Sequence, residues 1–526
     1  MNDTEKRLQE RQLRALRLQM KRLYEGAKFD RLTADWLAGG TSADAEIRSS
    51  MARLRNRARQ VIRDSDHAKA AKRTIVNNVI GTGVRMQAQL LMARSRDGKP
   101  RLDKTKNATI ERKFAAWCAA EVCHTGGTLA FQDIEEQVVG APAESGEVFV
   151  RLVPEAFGGG RIPLALELIE ADQLDETVDG YASVPGQMAP GGEWRLGVHV
   201  NEWGRPIEYA FLTCHPGDVR GGGPMAGQRV IVPAEQIIHC FIPERPGQTR
   251  GVTWFASALK LVHHLVGYQE AEVVRARAAS QLMGFVVTDT GAGEELGEEV
   301  VDGEHVTTFE AGVYKTLFPG QRVEVPDLKA PNGQFETFVR VMLRAMAAGL
   351  GVSYESISRD FSQTNYSSSR LALLEDRENW RALQQRTIRT FHQRVFRAWL
   401  RAAVSVGELS LPGYQQEPER YETACKWVAR GWEWVDPEKE GKAYRDAVRD
   451  GFMTQAEVVM SRGADYHELI EQRAAELAEQ EALGLVFDTN PAKVDQRGAD
   501  NTPPAPEPPP AEDPPADPPS DSPPAE

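Results

Sequence analysis

Cysteine is scarce. Five residues (Cys118, Cys123, Cys214, Cys240, Cys425) in 526 are too few and too scattered to staple a fold with disulfides. No apolar run approaches the roughly 18 residues that a membrane-crossing helix needs, so no membrane partner is expected. The opening residues Met1 to Lys6 are polar and lack the apolar stretch of a secretory signal. Net positive charge is missing as well: 63 Lys and Arg face 76 Asp and Glu, a balance of −13. Seven of those acids lie in the last 28 residues, which hold no Lys or Arg, leaving −6 for the rest. This balance excludes a chain that coats nucleic acid by bulk charge, but it leaves local contacts open. The reading at this point is a soluble, intracellular-type protein with several domains, at about 150 residues per domain.

The usual marks of an active site are also absent. The string nearest to a phosphate-cradling Walker A loop, Gly222 to Arg229, lacks the Lys followed by Ser or Thr that neutralises the phosphates. His467 and Glu468 open a zincin-like string whose second His is replaced by Glu471. Cys118, Cys123 and His124 offer soft ligands without a convincing fourth, and read better as buried thiols beside Trp117. His263 and His264, followed by Glu270 and Glu272, point about 100° apart on a helix and cannot readily converge on one ion. Serines 367–369 sit in no nucleophile elbow. The expectation is no enzyme, no metal and no cofactor.

What the sequence does contain is a pattern of elements. Leu13, Leu16, Met20 and Leu23 repeat at helical spacing within a basic segment over 5–34, and a second helical run covers 43–78. Residues 1–73 carry 18 basic and 10 acidic groups, which suits either a solvated helix face or contact with phosphate or an acidic partner. A helix is expected near 107–123, followed by short strands (147–152, 166–169, 197–200, 207–212) punctuated by Gly and Pro. Phe255, Leu259, Val262, Val266 and Val273 predict a helix over 253–281, and Phe335 to Leu350 a second one. Between them lies a short-stranded insert with eight acids and no Lys or Arg from Asp289 to Glu310. A polar loop over 351–369 precedes the longest helix, 370–406, one face of which bears seven arginines from Arg377 to Arg401. A small helical module follows at 437–484. The tail from 499 has twelve prolines and no large apolar residue, too little to bury a core. The 253–281 helix has no obvious partner of its own length within the chain. Its apolar face therefore suggests packing on a neighbouring copy in a head-to-tail ring.

Several segments taken in order resemble phage portal proteins of the lambda family, over about 50–460. They are Asn77 to Gly83, Gly146 to Leu152, Leu168 to Asp175, Ile237 to His239, Pro243 to Gly251, Asp360 to Arg370 and Trp434 to Pro437. The resemblance implies an α+β portal fold with a β-rich wing, helical stem, small α/β clip, long wing helix and helical crown. Laid onto this sequence it suggests a basic helical arm at 1–83, the wing at 84–250 and the two stem helices at 251–282 and 332–350. The clip would fall at 283–331 and the channel (tunnel) loop at 351–369. The long wing helix and its connection would occupy 370–435, the crown 436–486, and a disordered Pro/acidic tail 487–526.

The resemblance further implies a ring, expected to be a dodecamer, at one vertex of a virion capsid and assembled in the host cytoplasm. Its partners would be sister copies, double-stranded DNA in the channel, the terminase large subunit, head–tail connector proteins, and major capsid or scaffold protein. The channel loop would present Arg359, Ser362, Gln363, Thr364, Asn365, Tyr366, Ser367, Ser368, Ser369 and Arg370. Subunit contacts are expected at Arg245, Phe255, Leu259, Val262, Val266, Arg381 and Arg389, and partner docking at Glu294, Glu295, Glu298 and Glu299. Sliding DNA calls for a wall with little grip on phosphate, which suits an acidic insert and an uncharged loop. The alternatives are a terminase-like packaging ATPase or nuclease, and a minor capsid or tail protein without a channel.

Overall fold

The computed structural model describes residues 39–485 apart from 93–101, 181–191, 219–226, 363–364, 434–435 and most of 281–332, where four short strands are given. Arg31, Asp35 and Phe487 are described as single positions. The expected helix over 5–34 and the Pro/acidic tail lie outside the described residues. The chain divides into two units, Met1–Arg430 and Gly431–Glu526.

The first unit opens with three helices, α1 (Ala43–Arg48), α2 (Met51–Asp64) and α3 (Asp66–Val79). Ser65 both ends α2 and caps α3, its side chain accepting from the Ala68 amide. Gly81 follows at φ 62°, where a Cβ would meet the Arg430 side chain at 2.5 Å. β1 (Arg85–Ala88) leads to α4 (Lys104–Trp117) and α5 (Phe131–Ser145), which packs on α2 and α3. Seven strands come next: β2 (Glu147–Val153), β3 (Ala165–Glu170), β4 (Gly192–Arg195), β5 (Val198–Asn201), β6 (Pro206–Leu212), β7 (Arg229–Pro233) and β8 (Ile237–Phe241). They form an antiparallel sheet in the order β3-β2-β8 and an antiparallel meander, β4-β5-β6-β7. A shared core joins the two sheets, with Phe149, Ile169 and Ile237 from one against Val198, Val200, Tyr209, Phe211 and Val232 from the other. The hairpin expected across Trp203 is the β5–β6 turn; Asn201 Oδ1 accepts from the Trp203 and Arg205 amides at 3.0 and 2.9 Å.

Helix resumes at α6 (Leu259–Ser280), then come β9 (Phe285–Thr288), β10 (Glu299–Val301), β11 (Glu304–Val306) and β12 (Gln321–Glu324). β9 pairs with β12, and β10 with β11. After them stand α7 (Phe335–Leu350), α8 (Tyr354–Ser358), α9 (Tyr366–Thr387) and α10 (Gln393–Ser405), the last two joined by a π-helical turn over Ile388–His392. β13 (Cys425–Val428) closes the unit by pairing antiparallel with β1.

Two boundaries differ from the sequence expectation. The helix expected from 253 starts at Leu259, because Thr253 Oγ1 donates to the Ala143 carbonyl and accepts from the Phe255 amide, holding the preceding residues in a turn. The loop expected over 351–369 is mostly structured. Gly351, at φ 66°, terminates α7, and Asn365 caps α9 by accepting from the Ser368 amide at 2.9 Å. The long helix thus begins at Tyr366.

In the second unit, α11 (Pro437–Arg449), α12 (Gln455–Ser461) and α13 (Tyr466–Ala482) are capped by Asp436, Thr454 and Asp465. None of the three helices buries a residue fully. Among the described residues no helix is long and apolar enough to cross a membrane.

Candidate functional site

The segment from α7 to α9 is anchored at its base by one carboxylate. Asp376, buried on α9, accepts from the Ser353 amide at 2.8 Å, the Ser353 hydroxyl at 2.7 Å and the Ser356 hydroxyl at 2.9 Å. Burial raises its pKa above the ordinary aspartate value, against the three donors that favour the charged form. The clasp ties α8 to the long helix. Beyond it, Asp360 accepts from Tyr354 Oη and from the amide and hydroxyl of Ser362, forming a second, exposed knot. Arg359 lies between the two, left-handed at φ 58°, a conformation uncommon for a residue with a Cβ. Asp376→Ala is expected to cost about 1–3 kcal/mol, leaving three donors without their acceptor. Amide hydrogen exchange over 352–358 should speed up while the sheets stay protected. Unchanged exchange there would mean that Asp376 is not the clasp.

The expected channel residues divide accordingly. Arg359 and Ser362 lie in a tight turn, and Asn365 is a helix cap. Tyr366, Ser367, Ser368, Ser369 and Arg370 form the first turns of α9 rather than a loop. Gln363 and Thr364 lie outside the described residues.

The expected interface residues separate as well. α6 packs on α2 and α7, and Tyr268 stacks on Phe335 with ring centroids 5.7 Å apart. α6 therefore has packing partners within the chain, and Phe255, Leu259 and Val262 are buried there. α6 has 22 residues against 16 in α7, however, and outruns it by about 9 Å at 1.5 Å per residue. Val266 stays exposed, as do Val273 (55%), Val274 (58%) and, on α7, Phe338 and Val341 (58%). Arg245 pairs inside its own chain, with Glu46 at 2.8 Å and the Thr41 carbonyl at 3.1 Å. Arg381 pairs with Glu378 on the same helix, and Arg389 is exposed. The seven-arginine face is partly spent inside the chain: Arg394 donates to the Ile237 carbonyl and Arg401 to Glu422. Glu294, Glu295 and Glu298 lie outside the described residues, and Glu299 opens β10.

Two buried polar knots were not read from the sequence. Glu147, 1% exposed, accepts from Arg250 Nε at 2.8 Å, Arg250 Nη2 at 2.5 Å and the Gly251 amide at 2.7 Å. His239 Nε2 lies 3.0 Å from the same carboxylate. The second knot brings His392, in the π-helical turn, to 2.6 Å from Glu135 on α5, which also accepts from the Val84 amide. Their only sequence signal is a charged or polar residue inside an apolar run, as in Gly-Glu147-Val-Phe-Val and Ile-Ile-His239-Cys-Phe.

As for metal-type donors, His124 Nδ1 accepts from the Thr128 and Leu129 amides in a local turn. Glu170, Asp172 and His215 do cluster. Arg59 already reaches both carboxylates, at 3.1 and 2.6 Å, so a guanidinium supplies the positive charge there.

Comparison with known proteins adds what this geometry cannot. Residues 29–384 match the family model described as phage portal protein, lambda family. The chain is 28% identical over 476 residues to a probable portal protein of Halomonas phage phiHAP-1, covering 88% of each chain. It is 24% identical over 501 residues to the portal protein of Escherichia phage N15, and 22% identical over 487 residues to portal protein B of Escherichia phage lambda. In both cases 88% of this chain and 90% of the relative are covered. Among solved structures, a chain from the neck of a native gene transfer agent particle, computed with C12 symmetry, aligns with TM-score 0.41 at 12% identity, covering 81% of this chain and 94% of that one.

Proposed function

The chain belongs to the lambda family of phage portal proteins, and on that premise we propose that its copies close into a ring around a channel for double-stranded DNA. Membership of the family makes the chain a portal connector at the capsid vertex of the virion. The ring, the channel and the docking partners are our reading. In it, the two-sheet domain forms most of the wing, α6 and α7 the stem, β9 to β12 part of the clip, α9 and α10 the wing helix, and the second unit the crown. The clip would meet the terminase large subunit during packaging and head–tail connector proteins afterwards, while the wing faces capsid or scaffold protein. The role is structural rather than enzymatic.

One observation carries the ring. Val273 and Val274 on α6, with Val341 on α7, are more than half exposed on a helix pair that, among the described residues, buries only Leu259, Val262 and Leu265 from α6 and Leu343, Met346 and Ala347 from α7. Apolar positions grouped along such a pair mark a contact surface, and a head-to-tail contact that closes on itself yields a ring. This apolar stripe replaces Phe255, Leu259 and Val262 as the proposed contact and retains Val266. Electron micrographs of the purified protein should show rings with an axial opening. Val274→Glu combined with Val341→Glu should leave the melting temperature within a few degrees of wild type and abolish the rings. A wild-type protein that stays monomeric at micromolar concentration in every salt tested would overturn the reading.

A further inference from the structure

Between α3, α8 and the start of α9 lies a cleft of about 400 Å³, lined by Thr74, Asn77, Ser356, Arg359, Ser369 and Arg430. Glu355, half-buried, is the one carboxylate among the lining residues, and Phe361 forms part of the rim. Two guanidiniums lean on the same helix. Arg430 donates to the Asn77 carbonyl, and Arg359 reaches Thr74 Oγ1 at 3.5 Å. Thr74 and Asn77 are three residues apart on α3, so their side chains are neighbours on its surface. Neither Arg359 nor Arg430 has a carboxylate partner among the described residues. Each therefore keeps its charge and most of its donors free, beside the hydroxyls of Thr74 and Ser369. Arg359 reaches this position only from a left-handed backbone that the clasp below and the Asp360 knot above hold in place.

We infer that this cleft is an anion site for a phosphodiester group, held by Arg359 and Arg430, and that in the assembled ring it takes phosphates of the DNA backbone. The inference rests on the channel reading and deepens it. Arg430 is half-buried against α3, while Arg359 stands exposed at the mouth of the cleft. Phosphate must sit between the two guanidiniums to be held by both, a placement that favours resting DNA over a duplex that slides past. The planar guanidinium matches phosphate geometry with paired donors, which a lysine at either position would not reproduce.

The test uses assembled full-length protein and a fluorescent 30-base-pair duplex, with binding measured by anisotropy across a salt series. Arg359→Gln and Arg430→Gln should each weaken binding roughly three- to tenfold, and each should flatten the log-affinity against log-salt slope by about 0.9. Arg73→Gln removes an exposed charge from the same helix outside the cleft and should leave affinity near wild type. Arg359→Gly suits the left-handed backbone and serves as the variant that must fold, with the same loss of binding. Inorganic phosphate at constant ionic strength should displace the duplex from wild type more readily than from either glutamine variant. Equal losses for Arg73→Gln, or none for Arg359→Gln and Arg430→Gln, would overturn the cleft. Phosphate bound without any duplex binding would overturn DNA as its source. Rings seen in micrographs of the same samples keep the channel reading separate from either failure.

Discussion

Arg250→Met is expected to destabilise the first unit by about 3–5 kcal/mol, because it strands Glu147 as an uncompensated buried charge. The guanidinium is fully buried and serves several elements at once. Besides Glu147 at the start of β2 it donates to the Leu196 carbonyl at 2.7 Å, ahead of β5, and to the Ala171 carbonyl at 3.3 Å, after β3. It sits where the chain leaves β8 for α6, so the two sheets and the approach to α6 share one ion pair. Replacing both partners, Glu147→Leu with Arg250→Met, should recover much of the loss, since no charge is then left without a counterpart. Urea unfolding midpoints of the two singles and the double decide this. Additive losses would mean that the pair is not a unit.

The same knot sets an acid dependence. Burial pushes the His239 imidazole below its ordinary value of 6.5, so the fold keeps it neutral while the unfolded chain accepts the proton. Wild-type stability should therefore fall as pH drops below about 6.5. Burial alone would raise Glu147, but the charge of Arg250 and the bond from His239 outweigh it and hold the carboxyl well below the usual range. Its contribution is full above the ordinary value of 4.5 and is lost on further acidification. In Arg250→Met burial is no longer offset by the arginine, so acidification through the carboxylate range should relieve that variant rather than harm it.

How much of this was legible in the sequence depends on the range of the interaction. Local signals transferred well. The 147–152 and 207–212 strands, the hairpin across Trp203 and the stop at Gly81 all follow from periodicity and turn chemistry within a few residues. Pairings over distance did not transfer. β2 bonds to β8 about ninety residues on, and β1 to β13 about 340 residues on, and no alternation within either strand names its partner. Asp376 illustrates the point for single residues. On a helix read for its arginine face it counts as one more surface acid, and only the fold brings Ser353 and Ser356 under it. The serine run 367–369 misled for a related reason. Three serines suggest a loop, yet Asn365 two residues earlier is a strong cap, and with it the serines become the first turn of α9. The partners of the charged face of the long helix were not legible either, because carbonyl acceptors such as Ile237 O carry no sequence signal.

Phe114→Ala should be at least as damaging as the loss of Arg250, at about 3–5 kcal/mol, and should act on a different part of the unit. Its ring lies within 6.0 Å, centroid to centroid, of Trp117, Phe131, Phe396, Trp399 and Trp427, with the contacts to Phe131, Phe396, Trp399 and Trp427 close to edge-on. Edge-to-face pairs add to the burial of each ring. A cavity at this centre loosens α4, α5, α10 and β13 together, because none of the surrounding indoles can move without opening a gap to another. Trp427 also lies on the strand that leads to Arg430, so the damage should reach the anion cleft by way of β13. Phe114→Leu retains most of the volume and should cost less than half as much. Thermal melting together with duplex binding separates the alternatives. If Phe114→Ala melts well below wild type and also binds DNA more weakly at temperatures where it is still folded, β13 couples the aromatic core to the cleft. If binding is untouched while the melt collapses, Arg430 is held by α3 alone.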